Sequence, residues 1–67
     1  MGIVKISLAA ARVNADLTQK ELAEKCGVSE STIINWENGK SLPNMKKLNV
    51  LENALGLSLD HVRFDKR

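Results

Sequence analysis

The sequence has a single cysteine, Cys26, and a single histidine, His61, so it offers neither an internal disulfide nor a cluster of zinc ligands. It also lacks a long apolar run, because the one near its start, residues 8–11, is far too short for a signal-peptide core or a membrane span. These absences argue against a secreted disulfide scaffold and a membrane protein, and the lone thiol fits a soluble protein of the reducing cytoplasm. Without staples, a chain of 67 residues must be stabilised by efficient packing of one small core or by self-association.

Residues that could carry catalysis are equally scarce. An enzyme would need a nucleophile, a base or a metal cluster converging on one site, and one histidine, one cysteine and no long loop argue against that. We therefore expect a protein that is not an enzyme and that needs no metal and no cofactor. Ten basic and eight acidic side chains leave a net charge of only +2, so any positive field that attracts nucleic acid must be local.

Apolar residues recur at helical spacing along most of the chain, and strand-like alternation is limited to residues 3–6. A first helix is predicted from an inward face made, at i, i+3, i+4 and i+7, by Leu8, Ala11, Arg12 and Ala15. A fourth helix should begin after Asn44 and end at Gly56, and Ser58 predicts the start of a short fifth helix that runs through Val62. With the two helices described next, the sequence predicts an all-α, compact five-helix bundle in a single domain over residues 1–67.

Two short helices on either side of Gly27 form the most informative feature. Thr18 and Ser29 are good N-caps for the second and third helices, and Glu21 completes a capping box with Thr18. Where two helices cross steeply and nearly touch, the first needs a small residue, the turn needs glycine and the second needs an apolar anchor. Three residues supply these features in order, namely Ala23, Gly27 and Ile33. The joint pattern predicts a helix-turn-helix over about residues 18–38.

Three stretches of the sequence resemble the Cro/CI-type helix-turn-helix family of phage repressors and their bacterial relatives. They are LTQKELAEKCGVS at residues 17–29, WENGK at residues 36–40 and LGLSLD at residues 55–60. The likeness extends from about Leu8 to Val62 and implies a lambda-repressor-like five-helix domain that binds operator DNA, usually as a dimer. The sequence departs from the family pattern at Glu52, where relatives often have a small residue.

The candidate base-reading residues follow from helical geometry. If Ile33 and Trp36 face the core, the opposite face of the third helix presents Glu30, Ser31, Ile34 and Asn35. Asn35 can pair bidentately with adenine, and Ser31 can donate or accept a hydrogen bond. Ile34 can contact a thymine methyl group or be an ordinary exposed isoleucine. Glu30 can read cytosine, but stabilisation of the first helical turn by its charge is the favoured interpretation.

The resemblance adds residues that the helical pattern does not single out. It implies that Gln19, at the start of the second helix, contacts a base or a phosphate, and that Thr18, Asn38 and Lys40 contact phosphates. It also implies an ion pair between Arg12 and Glu37, which would compensate the cost of an inward-facing arginine.

Several other residues are expected to be structural. Trp36 is three residues from Ile33 and is expected in the core rather than against a base. Cys26 is interpreted as an inert core thiol, and His61 as a surface or half-buried histidine rather than a metal ligand.

The sequence thus predicts a DNA-binding transcriptional regulator, and more finely a repressor that inserts its third helix into the major groove of a near-palindromic operator. Its partner is double-stranded DNA, it is located in the cytoplasm on the nucleoid, and it has no membrane association. A homodimer contact is predicted where the end of the chain carries much apolar surface, at Leu57, Leu59, Val62 and Phe64. The alternative is a protein-interaction module, such as an antitoxin that binds its toxin, although the polar face at Ser31 and Asn35 suits base edges better.

Overall fold

The computed structural model describes residues 5–64, and within them four α-helices make up most of the fold. The helices are α1 (Leu8–Asn14), α2 (Gln19–Cys26), α3 (Glu30–Glu37) and α4 (Met45–Leu55). A 3-10 helix (Leu59–His61) and two short strands, β1 (Ile6–Ser7) and β2 (Val62–Arg63), complete it. None of the helices within residues 5–64 has the length and apolar character needed to cross a bilayer.

The prediction of a fifth helix is wrong. Ser58 does begin a helical turn, since its hydroxyl accepts a hydrogen bond from the Asp60 amide at 3.2 Å, but the turn lasts only three residues. Val62 is then extended, with φ −123° and ψ 132°, and it pairs in parallel with Ile6 while Arg63 pairs with Ser7. The β-branched valine is well suited to a strand, and β1 supplies the partner that makes this conformation stable.

Side-chain caps define where the four helices begin. The Ser7, Thr18, Ser29 and Asn44 side chains each accept a hydrogen bond from a backbone amide in the first turn of the following helix. Gly27 and Gly56 end α2 and α4 with φ of 69° and 70°, in the left-handed region that favours glycine. At the end of α3 the left-handed residue is Gly39, with φ 74°, whereas Asn38 stays right-handed.

The core lies where the four helices and β2 meet. Its buried apolar residues are Leu8, Ala11, Leu22, Ala23, Cys26, Ile33, Trp36, Leu51, Leu55 and Val62. The predicted core positions of Cys26 and Trp36 are therefore confirmed, at 3% and 4% exposed. The inclusion of Val62, at 4% exposed, contradicts its predicted place in a dimer contact, because its side chain is already used by the core of its own chain. Leu57, Leu59 and Phe64 are half-buried and pack against the same core.

Glu52, the residue that departs from the family pattern, has a contact that the sequence did not reveal. Its carboxylate accepts a hydrogen bond from the Leu59 amide at 3.1 Å. This amide lies at the start of the 3-10 helix, where backbone donors lack helical partners. Glu52 therefore joins α4 to the segment that returns to β1.

Candidate nucleic-acid interface

The turn between α2 and α3 fixes the angle between the two helices. The Val28 amide donates to the Ala23 carbonyl at 3.0 Å, and the chain turns through Gly27 in its left-handed conformation. A Cβ atom at Gly27 would meet only Lys47 Nζ, at 3.9 Å, so the backbone conformation rather than lack of space demands glycine here. Ala23 and Ile33 are 3% and 0% exposed. The predicted small residue and apolar anchor are thus both buried.

Lys47 stabilises this turn from α4, a role that the sequence analysis missed. Its ammonium donates to the Cys26 carbonyl at 3.0 Å, at the end of α2. A cation at a helix C-terminus interacts favourably with the helix dipole. Burial raises the pKa of the Cys26 thiol, against the opposing effect of the nearby Lys47 charge. The thiol therefore stays protonated at neutral pH, in keeping with an inert core residue.

The exposed face of α3 has the composition that the helical pattern predicted. Ile33 and Trp36 are buried, whereas Glu30, Ser31 and Ile34 are exposed and Asn35 is half-buried. Ile34 is 37% exposed. The polar groups and the one apolar side chain on this face are of the kinds that contact base edges. Helix α3 itself has two carboxylates and no positively charged side chain.

A partly buried polar network fixes the end of α3 against α1 and the start of α2. Arg12 Nε donates to Glu37 Oε2 at 2.7 Å, and Gln19 Nε2 donates to the other oxygen, Oε1, at 2.9 Å. Arg12 Nη1 also donates to the Leu17 carbonyl at 2.9 Å. The side chains of Arg12 and Glu37 are only 15% and 8% exposed. The ion pair implied by the resemblance is therefore confirmed, and one Gln19 donor faces Glu37 in this arrangement.

The predicted phosphate-contacting residues flank this network. Thr18 precedes Gln19 and Asn38 follows Glu37, so the 2.9 Å bond between Gln19 and Glu37 brings these two exposed residues into one region. Thr18 is also part of the predicted capping box, in which its hydroxyl accepts from the Glu21 amide at 3.0 Å. Lys40 is exposed, and its amide is fixed by a 2.9 Å bond to the Asn35 carbonyl.

Positive charge follows α3 instead of lying on it. Lys40 comes three residues after the end of α3, and Lys46 and Lys47 lie in the first turn of α4. Lys47 is half-buried at the turn, whereas Lys40 and Lys46 are exposed. Three lysines thus lie at or beside the connection between α3 and α4, which suits the local rather than global positive charge expected of a chain whose net charge is +2.

Other kinds of site find less support. Within the described part of the chain, no three His, Cys, Asp or Glu residues lie close enough to hold a metal ion. An open depression of about 360 Å³ lies between α2 and α4, lined by Lys25, Val50, Asn53 and Ala54. No residue of α3 lines this depression, and Lys25 is the one charged residue among the four that do.

Comparison with known proteins also identifies a helix-turn-helix in this chain. A family model described as helix-turn-helix matches residues 8–62. The chain is 37% identical to the HTH-type transcriptional activator BcrR of Enterococcus faecalis, over 76% of this chain and 25% of that protein. It is 45% identical to multiprotein-bridging factor 1 of Candida albicans, over 73% of this chain and 32% of the relative. It is 40% identical to human endothelial differentiation-related factor 1, over 72% of this chain and 32% of that protein. The matched segment thus spans only a quarter to a third of these relatives.

Proposed function

The chain belongs to the helix-turn-helix family of Cro/CI type, and from this premise we propose that it is a transcriptional regulator that reads DNA sequence by inserting α3 into the major groove. The observation that carries the proposal is the division of α3 into two faces. Ile33 and Trp36 anchor it in the core, and the Arg12–Glu37 ion pair fixes its end at 2.7 Å. A reading helix held this firmly can present its other face to base edges without first being ordered.

Base recognition is assigned to the exposed side of α3. Asn35 carries a donor and an acceptor that match adenine, and Ser31 can adapt to either kind of base edge. Ile34 offers a methyl contact to thymine, and Glu30 can accept a hydrogen bond from the cytosine amino group.

Backbone recognition is assigned to the two ends of the helix-turn-helix. Thr18 lies at the start of α2, where the positive end of the helix dipole favours phosphate, and Gln19 beside it is assigned to a base or a phosphate. Asn38 and Lys40 lie just beyond α3, and Lys40 brings a full positive charge. Such contacts position the protein on the duplex without carrying sequence information.

The finer parts of the proposal concern how the protein acts. Two copies would occupy a near-palindromic operator on the nucleoid in the cytoplasm, with half-sites about one helical turn apart. A domain that covers a promoter can repress simply by occupying it, so we propose repression. Comparison of reporter expression from a promoter that overlaps the selected site, with and without the protein, tests this, and increased expression would contradict it.

Selection of bound duplexes from a random pool tests whether the protein reads sequence. We expect a recovered motif with two inverted halves, and affinity that falls linearly with salt on logarithmic axes. Ile34→Glu adds a negative charge to the reading face and should weaken binding to the selected DNA more than about tenfold. Val13→Glu, the same kind of change at an exposed valine of α1, is the matched control and should have a much smaller effect. Recovery of random sequences, or equal losses for the two variants, would contradict DNA reading by α3.

A second candidate function is suggested by the name of one set of relatives, multiprotein-bridging factor 1. The same fold could bind another protein, as in the antitoxin-like alternative. Salt distinguishes the two functions, because phosphate contacts weaken steeply as salt rises and apolar docking hardly changes. Binding that resists salt and tolerates Ile34→Glu would favour the protein-binding function.

A further inference from the structure

Glu30 places a negative charge on the face of α3 to which base reading is assigned. It lies in the first turn of the helix, is exposed, and shares that face with Ser31 and Ile34. Phosphate charges line both sides of the major groove of any duplex. A carboxylate carried into the groove is therefore repelled by DNA of every sequence.

The other carboxylate of α3 is compensated, whereas that of Glu30 is not. Glu37 is paired with Arg12 at 2.7 Å, accepts a second hydrogen bond from Gln19 at 2.9 Å, and is only 8% exposed. Within residues 5–64, neither a cation nor a hydrogen-bond donor pairs with the Glu30 side chain. Because α3 has no positively charged residue, the reading face carries the full charge of Glu30.

The start of α3 does not depend on this charge. Ser29 caps the helix, since its hydroxyl accepts from the Thr32 amide at 3.2 Å and lies 3.0 Å from the Thr32 hydroxyl. A negative charge in the first turn adds a favourable interaction with the helix dipole, but at an exposed position salt screens it. Stabilisation of α3 therefore allows a carboxylate at position 30 without requiring one.

The repulsion is offset only by a base that donates a hydrogen bond to the carboxylate. Cytosine does so through its amino group, and a hydrogen bond to a charged acceptor is about twice as strong as a neutral one. Guanine and thymine offer no donor in the major groove, and adenine places an acceptor beside its amino group. An unpaired charge against the wrong partners is a general source of specificity.

We propose that Glu30 determines specificity by exclusion: its uncompensated charge weakens binding to DNA of every sequence, and only a cytosine at the position that it faces offsets the loss. This inference rests on the proposed DNA reading by α3. It gives Glu30 a role opposite to that of the other residues of the interface, which all add affinity. The lysines that follow α3 attract any duplex, and Glu30 opposes that attraction where the sequence does not match.

The test measures the affinities of the wild type and two variants for the selected duplex and for a duplex of random sequence. Glu30→Gln keeps the length and shape of the side chain and removes its charge. Glu24→Gln is the matched control, because it removes an exposed carboxylate from α2 that is not assigned to the interface. Both positions are exposed, so both variants should fold like the wild type, which thermal unfolding checks.

Glu30→Gln should bind the random duplex about fivefold more tightly than the wild type does, because a repulsive charge next to the phosphates is lost. Its affinity for the selected duplex should change by less than about twofold, since the loss of repulsion is offset by the loss of the charge-assisted hydrogen bond. Selection with Glu30→Gln should replace cytosine by adenine at one position in each half-site, because glutamine pairs with adenine. Glu24→Gln should change both affinities by a much smaller factor and leave the selected motif as it is.

Three results would overturn the inference. One is unchanged or weaker binding of the random duplex by Glu30→Gln, which would leave Glu30 with helix stabilisation alone. The second is an equal gain in Glu24→Gln, which would show a general effect of net charge. The third is an unchanged motif in Glu30→Gln, which would mean that the charge repels DNA without reading it. If the wild type itself selects no motif, the proposed reading by α3 fails instead, and this is visible before any variant is compared.

Discussion

The α1–α3 unit (residues 8–40) shares the apolar core with the terminal strand pair (Ile6–Ser7 with Val62–Arg63) but adds a charged network at Glu37. In the α1–α3 unit, one carboxylate accepts hydrogen bonds from Arg12 at 2.7 Å and from Gln19 at 2.9 Å. The terminal strand pair relies on parallel backbone pairing and on burial of Val62, which is 4% exposed, with one exposed hydrogen bond from Arg63 Nη1 to the Lys5 carbonyl at 3.2 Å. Charge-assisted hydrogen bonds are directional, whereas apolar burial has no preferred direction.

The two regions therefore have different roles, since one orients α3 and the other stabilises the fold. The polar network at Glu37 fixes where α3 points, because it joins three segments at the end of that helix. The terminal strand pair closes the chain and adds stability, and it contributes no residue to the proposed reading face. Damage to the first region should therefore affect folding and DNA reading together, and damage to the second should affect folding alone.

Removal of the Glu37 carboxylate should give the largest effect. Glu37→Ala leaves Arg12 largely buried without its partner, and breaking such a pair typically costs about 3–5 kcal/mol. A domain of this size has on the order of 3–5 kcal/mol of total stability, so the variant should be largely unfolded at room temperature. Urea unfolding followed by circular dichroism measures the loss.

A double variant separates the role of the charge pair from that of the space it fills. Arg12→Met with Glu37→Leu replaces both charges by apolar groups of similar size, which can be nearly neutral. It should recover much of the stability lost in Glu37→Ala. If each single variant lowers the free energy of unfolding only slightly, and the double variant lowers it by the sum of the two, the two charges are not coupled.

Truncation in the terminal strand pair should give a smaller and different effect. Val62→Ala removes buried methyl groups and should lower the free energy of unfolding by about 1–3 kcal/mol. Binding to the selected DNA, measured where the variant is folded, should hardly change. His61→Ala, at an exposed position directly before the same strand, is a control for general disturbance of the strand. A changed sequence preference in Val62→Ala would show that the strand pair also orients α3.

The same contrast explains which parts of the structure could be predicted from the sequence. The capping box at Thr18, the turn at Gly27 and the face of α3 opposite Ile33 depend on neighbours within about four residues, so local patterns reveal them. Strand β2 depends on Ile6, which is paired with Val62 across almost the whole chain, and no local pattern contains that partner. Contacts such as Lys47 with the Cys26 carbonyl and Glu52 with the Leu59 amide also escaped prediction, because each joins a side chain to a backbone group in another element.

Within the α1–α3 unit, Asn35 should affect reading without affecting folding. Asn35→Ala removes the amide that matches adenine and should cost about 1–3 kcal/mol on the selected DNA while relaxing base preference at one position in each half-site. Asn49→Ala, an exposed asparagine of α4, is the matched control and should leave the selected motif unchanged. If the motif selected by Asn35→Ala is the same as that of the wild type, Asn35 is not a base reader.

Lys40 should give the smallest effect and the one least dependent on sequence. Its exposed charge lies just beyond α3 on a backbone fixed by the 2.9 Å bond to Asn35, and we propose that it contacts phosphate and not bases. Lys40→Ala should weaken binding to selected and random duplexes by the same factor and lower the slope of log affinity against log salt by about one. The control is Lys25→Ala, which removes an exposed charge from the depression between α2 and α4 and should leave the slope as it is. An unchanged slope in Lys40→Ala would remove this residue from the phosphate contacts, whereas a loss confined to the selected duplex would make it a base reader and extend the reading face beyond α3.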